Sequence, residues 1–244
     1  MTNTEQKIIL ITGASSGIGE STAKALAKAG HTVVLAARRT ERLETLATAI
    51  ENDGGIARFY TLDVCSRENF TAVADACREE FGRIDVLINN AGLMPLSPMS
   101  ALKIDEWEQM IDVNIRGVLN GIAAVLPDME KSGQGHVVNI ASIAAHAVFP
   151  TAAVYCGTKH AVHAISSGLR LESQAVRVTT ISPGVVESEL AHTTTDKASQ
   201  EWLADFRKVA LKPEAIARAI VYAIEQPRDV NVDEIIVQPT LATY

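Results

Sequence analysis

Cysteine is scarce in this 244-residue chain: Cys65, Cys77 and Cys156 are the only three, an odd number, widely spaced and without a Cys-x-x-Cys pair. That pattern excludes a disulfide framework and suits a reducing compartment, so a cytoplasmic protein is expected. Positive charge is also short, with 22 Lys and Arg against 29 Asp and Glu for a net charge of −7. Sequence-independent binding to nucleic acid or to an anionic membrane needs basic patches, and neither partner is expected. No uninterrupted apolar run approaches the roughly 18 residues that argue for a membrane-spanning helix. The opening MTNTEQKIILITG meets Gly13 too soon for a signal-peptide core. Neither Gly (15) nor Pro (8) is enriched, and 47% hydrophobic with 21% charged residues is ordinary globular usage. Disorder and collagen-like repeats are thereby excluded. A chain of this length can bury about 70% of its unfolded surface, enough for a sizeable core.

What is present alternates. Residues 7–12 (KIILIT), 32–37 (TVVLAA), 58–64, 85–89, 135–141, 176–181 and 233–237 read as short buried strands. Between them lie helical stretches at 17–29, 105–130, 152–172 and after Pro213. Two more are marked by Leu43, Leu46, Ala47 and Ile50, and by Phe70, Val73, Ala74, Cys77 and Phe81, at helical spacing. Such alternation predicts parallel βαβ units with right-handed crossovers. The expected fold is α/β: a single Rossmann-type doubly wound domain over 1–244, its parallel sheet flanked by helices. The segment 187–212 interrupts the alternation, polar at first and amphipathic around Trp202 and Phe206, as a lid or functional loop would be.

After the first strand stands Thr12-Gly13-Ala14-Ser15-Ser16-Gly17-Ile18-Gly19. Glycines at this point permit a tight turn and let backbone N–H groups approach a pyrophosphate at the N-terminus of the next helix. The second strand ends in Arg38-Arg39 and carries no acidic residue at its tip. An acidic residue there would grip the adenosine ribose hydroxyls; two guanidinium groups suit a 2′-phosphate instead. The other reading is a solvated basic patch paired with Glu41 and Glu44. Asp63-Val64 after the third strand fits contact with adenine. Asn89-Asn90-Ala91-Gly92 forms a polar turn at the carboxyl edge of the sheet.

Tyr155 and Lys159 stand at i and i+4, on one helical face. A free phenol has a pKa of about 10, too high for efficient proton exchange near neutrality. An ammonium one turn away stabilises the phenolate and lowers that value. Ser142, at the carboxyl end of the fifth strand, can hold a substrate carbonyl oxygen. Asn114 lies among Trp107, Met110, Ile111, Val118 and Ile122, where its amide needs partners.

Gly13-x3-Gly17-x-Gly19, Asn89-Asn90-Ala91-Gly92, Asn114, Ser142, Tyr155-x3-Lys159 and Pro183-Gly184, in this order over essentially the whole chain, resemble the short-chain dehydrogenase/reductase family. The resemblance implies a seven-stranded parallel sheet, a homotetramer, and hydride transfer between NAD or NADP and a small-molecule substrate. It implies Tyr155 as general acid in carbonyl reduction, and Lys159 as the residue that binds the nicotinamide ribose and tunes Tyr155. Ser142 would position the substrate, and Asn114 would hold a water that relays protons to Lys159. Pro183-Gly184-Val185-Val186 would line the nicotinamide, and the segment after Glu187 would close over the substrate. With Arg38-Arg39 the closest resemblance is to NADP(H)-preferring carbonyl reductases and 3-hydroxy acid (serine-type) dehydrogenases. Two alternatives remain on the same fold: a 3-oxoacyl-carrier-protein reductase and a nucleotide-sensing protein without catalysis. Gly157 and Ser188 depart from the family's usual residues without touching its chemistry.

Apolar residues around the 105–130 helix (Val113, Val118, Ala124 and Val125 beside a core stripe of Ile111, Ile115 and Ile122) add to the tetramer expectation, as does the Ile235-Ile236-Val237 and Leu241 tail. Cys156 points away from Tyr155 and reads as a packed thiol. His146 either faces the substrate or is a loop histidine. His160 and His163 have no evident ligand partner, and no metal is expected. Met94, Phe149, Leu190 and Trp202 lie on loops around the expected pocket, or form core beneath a lid.

Overall fold

A computed structural model describes residues 5–242; residues 1–4 and 243–244, within the expected 1–244 span, lie outside the described ones. In chain order the elements are β1 (Ile8–Thr12), α1 (Gly17–Lys28), β2 (Thr32–Ala37), α2 (Thr40–Asn52), β3 (Ile56–Thr61), α3 (Arg67–Phe81), β4 (Val86–Asn89), α4 (Ile104–Ile111), α5 (Gly117–Ser132), β5 (Gly135–Ile140), α6 (Ala153–Glu172), β6 (Val176–Pro183), α7 (Lys197–Phe206), α8 (Pro213–Ile224) and β7 (Glu234–Val237). All seven strands form one parallel sheet in the order β3-β2-β1-β4-β5-β6-β7.

The two faces arise from strand alternation. Ile8 and Leu10 of β1 join one core with Phe70 and Cys77 of α3, Val118 and Ile122 of α5, and Val162 of α6. Ile9 and Ile11 join the other, with Leu26 of α1, Leu43 of α2 and Ile220 of α8. Strand order reverses between β1 and β4, so the connections leaving their carboxyl ends run to opposite faces of the sheet, with α1 on one and α5 on the other, and this is where open α/β sheets hold ligands.

β3 begins and ends earlier than the expected 58–64. Its register runs from Thr32↔Ile56 to Ala37↔Thr61, and Leu62 and Val64 lie beyond it. These two are apolar for another reason: both are buried, and Val64 lies against Gly117, where an added Cβ would stand 2.8 Å from its Cγ2. Helix 104–132 is continuous, and long and apolar enough to cross a membrane by length and composition. Its Val118, Ile122, Val125 and Met129 are packed into the sheet core instead.

That helix also corrects the expected stripe. Residues Asp112–Arg116 form a π-helical turn. One extra residue in the turn rotates α5 by about 100° relative to α4. Val118 and Val125, expected beside the core, are therefore in it, while Ile111 is 42% exposed and Ile115 half-buried.

The 187–212 segment is an excursion whose ends are tied together. Val186 bridges Leu211 in parallel, with Leu211 N donating to Val185 O at 3.0 Å and Glu187 N to Leu211 O at 2.8 Å. Within it lie a short helical turn at Glu189–Thr193 and α7, capped by Asp196, whose carboxylate accepts from Ser199 N at 2.9 Å.

Candidate active site

One cavity of about 960 Å³ runs along the carboxyl ends of the strands. At one end is the turn after β1. Gly13 takes a φ of +65°, and Gly19 packs so closely on it that an added Cβ would stand 2.4 Å from Gly13 O and 2.6 Å from Asn90 Nδ2. Asn90 clamps this turn: its Nδ2 donates to Thr12 O at 2.9 Å and to Gly13 O at 3.2 Å. Thr12 Oγ1 in turn accepts from the backbone N–H groups of Asn90 (3.0 Å) and Ala91 (3.1 Å). Gly13, Ser15, Ser16, Gly17 and Ile18 line the cavity here, with the first turn of α1 opening onto it; Gly19 sits behind them.

Arg38 and Arg39 line the next stretch, and Arg39 is tied to the glycine turn. Its Nη2 donates to Ser15 Oγ at 2.9 Å and Ser16 Oγ at 2.8 Å. The expected acidic neighbours, Glu41 and Glu44, are not its partners. Glu189, which no local pattern marks, is: Arg42 holds one of its carboxylate oxygens at 2.7 Å and Arg39 the other at 2.6 Å. Hydrogen bonds from Arg42 and then Arg39 pull the Glu189 carboxyl down to about 2. Asp63 and Val64 line the wall below, where Asp63 Oδ1 accepts from Cys65 N at 3.0 Å and shapes the turn after β3.

The middle of the cavity brings together residues from four elements. Ser142, Tyr155 and Lys159 are all 9% exposed or less, and all line it, as do Asn90, Ala91 and Gly92 on the near side and Pro183, Gly184, Val185 and Val186 on the far side. Lys159 Nζ donates to Ile140 O at 2.8 Å and lies 5.8 Å from the centre of the Tyr155 ring. Ser142 hydrogen-bonds the Tyr155 side chain, and its Oγ accepts from Ala144 N at 3.1 Å. Asn114, on the π turn and 1% exposed, is fully engaged. Its Oδ1 accepts from Leu93 N at 3.0 Å, and its Nδ2 donates to Leu93 O at 3.0 Å and Thr158 Oγ1 at 3.1 Å. Gly92 approaches both groups: a Cβ there would stand 3.4 Å from Asn114 Oδ1 and 3.9 Å from Lys159 Nζ.

Burial dominates the electrostatics. It pushes the Tyr155 hydroxyl up to about 12, against the opposing pull of the Ser142 hydrogen bond. It pushes the Lys159 ammonium down to about 8. The lowering of the Tyr155 phenol expected from Lys159 does not appear in the protein alone, where burial of the hydroxyl dominates. Near neutrality this leaves a protonated phenol beside a mostly protonated amine.

The far end mixes apolar and polar lining: Leu93, Met94, Leu96 and Phe149 stand with Glu106, Gln109, His192 and Arg207, under Trp202 and Phe206, whose rings stack at 4.9 Å and 20°. Two threonines pin the roof to the floor. Met94 N donates to Thr193 Oγ1 at 3.1 Å, and Thr194 Oγ1 donates to Met94 O at 3.0 Å. A run of three threonines in a polar loop carries no pattern from which this could be read. Cys156 is buried, with its thiol pushed up by burial, as a packed thiol should be. His146 turns away from the cavity to Glu234 at 2.7 Å and is joined there by His163 at 3.3 Å, so the histidine–carboxylate cluster not expected from sequence exists.

A doubly wound parallel sheet with a glycine turn at its switch point and a buried Tyr–Lys–Ser group beyond it defines a class of nucleotide-dependent oxidoreductases. The family model for short chain dehydrogenases matches residues 7–199, and the chain belongs to that family as an oxidoreductase. It is 49% identical to an uncharacterized oxidoreductase of Staphylococcus saprophyticus, over 98% of both proteins. Among solved structures it is similar to the closed form of serine dehydrogenase complexed with NADP+ (33% identity, TM-score 0.90, 97% of this chain and 96% of that one). An alcohol dehydrogenase from the archaeon Thermococcus sibiricus complexed with 5-hydroxy-NADP is similar too (31% identity, TM-score 0.89, 98% and 99%). A dinucleotide fits the residues present: the Gly13–Gly19 turn is a cradle that side chains would fill, and Arg39 reaches its rim.

Proposed function

We propose that this oxidoreductase reduces a carbonyl of the ketone or 3-oxo acid type to a secondary alcohol, reversibly, with NADPH. The observation that carries the reading is the burial of Tyr155, Lys159 and Ser142 in one wall of a cavity continuous with the glycine turn. Bound NADPH supplies the hydride. Ser142 Oγ holds the carbonyl oxygen, and the Tyr155 hydroxyl gives it a proton. The Lys159 ammonium stabilises the phenolate that remains and holds the nicotinamide ribose. Asn114, fixed by Leu93 and Thr158, shapes the floor beside Lys159 where a water relays protons. A phenol held near 12 in the protein alone is protonated at neutral pH, so Tyr155 carries the proton that the carbonyl oxygen receives.

Gly13, Ser15, Ser16, Gly17, Ile18 and Gly19 receive the pyrophosphate, and Asn90, Ala91 and Gly92 support it. Asp63 and Val64 flank the adenine, Arg38 and Arg39 the 2′-phosphate, and Pro183 to Val186 the nicotinamide. Ile104, Ile111 and Leu119, exposed along one long helix, support association into a homotetramer, which light scattering checks.

The test is Tyr155→Phe, which keeps the ring and removes the transferable proton. Turnover of ketones and 3-oxo acids, followed by NADPH depletion, should fall at least about 10²–10⁴-fold with NADPH binding intact. Retention of about a tenth of wild-type kcat would overturn the assignment.

A further inference from the structure

We propose that His146, His163 and Glu234 form a binding site for a divalent transition-metal ion, best suited to Zn²⁺, outside the cavity described above. His146 Nε2 lies 2.7 Å from Glu234 Oε1, and His163 Nε2 lies 3.3 Å from Glu234 Oε2. One donor atom from each of the three residues can be chosen so that all lie within 4.8 Å of one another. The two imidazoles meet edge to face, centroids 5.1 Å apart at 78°, so both Nε2 atoms turn toward the same carboxylate and the rings do not stack.

Zinc–nitrogen and zinc–oxygen bonds near 2.0–2.1 Å in tetrahedral geometry put neighbouring donors roughly 3.3 Å apart. The two imidazoles reach different oxygens of Glu234, at 2.7 and 3.3 Å, and a set of one donor per residue spans no more than 4.8 Å, so an ion enters with side-chain movements of the order of 1 Å. Imidazole and carboxylate together suit Zn²⁺, Co²⁺ and Ni²⁺, whereas Mg²⁺ prefers an all-oxygen shell. Three protein donors leave a fourth position for water.

The donors are held from three separate parts of the fold. His146 closes the short helical turn after β5, its N–H donating to Ile143 O at 2.9 Å. His163 lies in the middle of α6, and Glu234 opens β7, in register with Thr180 of β6. A further shell is also in place: Ser182 Oγ, fully buried, donates to Glu234 Oε1 at 2.6 Å and fixes the carboxylate. Such outer partners orient metal ligands and sustain affinity. Side-chain exposures of 34% for His146, 36% for His163 and 23% for Glu234 leave the ion a path in from solvent.

An ion here would join the loop after β5 to α6 and to the edge strand β7. That loop carries Ser142 at one end and Phe149 near the other, so the site braces one wall of the cavity from behind.

The experiment uses the full chain, free of any histidine tag and stripped with chelator. Equilibrium dialysis against ZnCl₂ with elemental analysis should find one Zn²⁺ per chain, undiminished by excess MgCl₂. His146→Ala, His163→Ala and Glu234→Gln should each weaken binding by at least about tenfold, as loss of even an outer-shell partner does. The Co²⁺-loaded protein should show visible d–d bands without the intense near-ultraviolet band of a thiolate ligand, and Cys65→Ser should leave both binding and spectrum unchanged. Because Zn²⁺ would bind only the folded chain, it should raise Tm in the wild type and not in the variants. Failure of the wild type to bind stoichiometric Zn²⁺, binding retained in the His146→Ala/His163→Ala double variant, or a thiolate band would each overturn the site. None of these readouts depends on turnover.

Discussion

At the glycine-turn end of the cavity, backbone meets backbone. Gly19 leaves no room for a Cβ over Gly13 O, and the Asn90 amide locks the same turn from the other side. At the substrate end the 187–212 excursion rests on side chains: two threonine hydroxyls against the Met94 backbone, and a Trp202–Phe206 stack. A turn held by close backbone approach accepts one shape and hence one kind of ligand. A roof held by hydroxyls and aromatic contacts can be altered residue by residue without disturbing the sheet. On the proposed function, the contrast puts recognition of the dinucleotide in backbone geometry and recognition of the substrate in replaceable side chains.

The largest expected effect strikes the backbone-built end. Gly19→Ala forces a Cβ to within 2.4 Å of Gly13 O. Overpacking of this kind costs about 1–3 kcal/mol, or roughly 2–12 °C in Tm for a chain of this size. NADPH affinity, followed by fluorescence titration, should fall by roughly tenfold or more, about 1.4 kcal/mol. An Ala variant with unchanged Tm and affinity would dissolve the contrast.

Between the two ends stands Glu189, a carboxylate of the excursion resting on the arginines assigned to the 2′-phosphate. Arg39→Asp should lower the NADPH/NADH ratio of kcat/KM by about tenfold, the low end of a charge-assisted contact at an exposed site. A change below about threefold would move the phosphate site elsewhere. Glu189→Gln should act in the opposite direction. Removing an anion that competes with the phosphate should tighten NADPH by about 1.5- to 5-fold, with NADH untouched, the range of an exposed ion pair. Both effects should shrink as salt is added.

The smallest effect is a pH dependence at the centre. Below its pKa of about 8 Lys159 is an ammonium able to stabilise the Tyr155 phenolate; above it that charge is lost. Reduction should sit at its plateau below about pH 7, fall to about half near pH 8 and go on falling above it. Tyr155, held near 12, stays protonated throughout this window and contributes no second inflection. A reduction rate that keeps rising past pH 9 would assign the inflecting group elsewhere.

Much of the fold and site is legible in local pattern. Ile8 to Thr12 is buried at every position and runs into a glycine turn. Tyr155 and Lys159 sit one turn apart on α6, and Leu43, Leu46, Ala47 and Ile50 form the buried side of α2. Each of these depends on neighbours within about four residues, which a period of 2 or 3.6 reports directly. Where a residue is apolar for a distant reason the pattern misleads. Leu62 and Val64 read as a continuation of β3 because they line the core below α5. The stripe on 104–132 fails at Asp112–Arg116, where one π turn shifts the face and leaves no mark in hydrophobicity.

By itself, then, the sequence determined the strand–helix alternation, the glycine turn and the Tyr155–Lys159 pair, all set by short-range sterics and spacing. Only the tertiary structure decided the partners of charged and polar groups. Arg39 finds Glu189 across 150 positions, Asn114 finds Thr158 across 44, and His146 finds Glu234 across 88. Such pairings depend on where the sheet edge, the excursion and the helix ends come to rest. A polar side chain carries no periodic signal of the partner that long-range packing will bring to it.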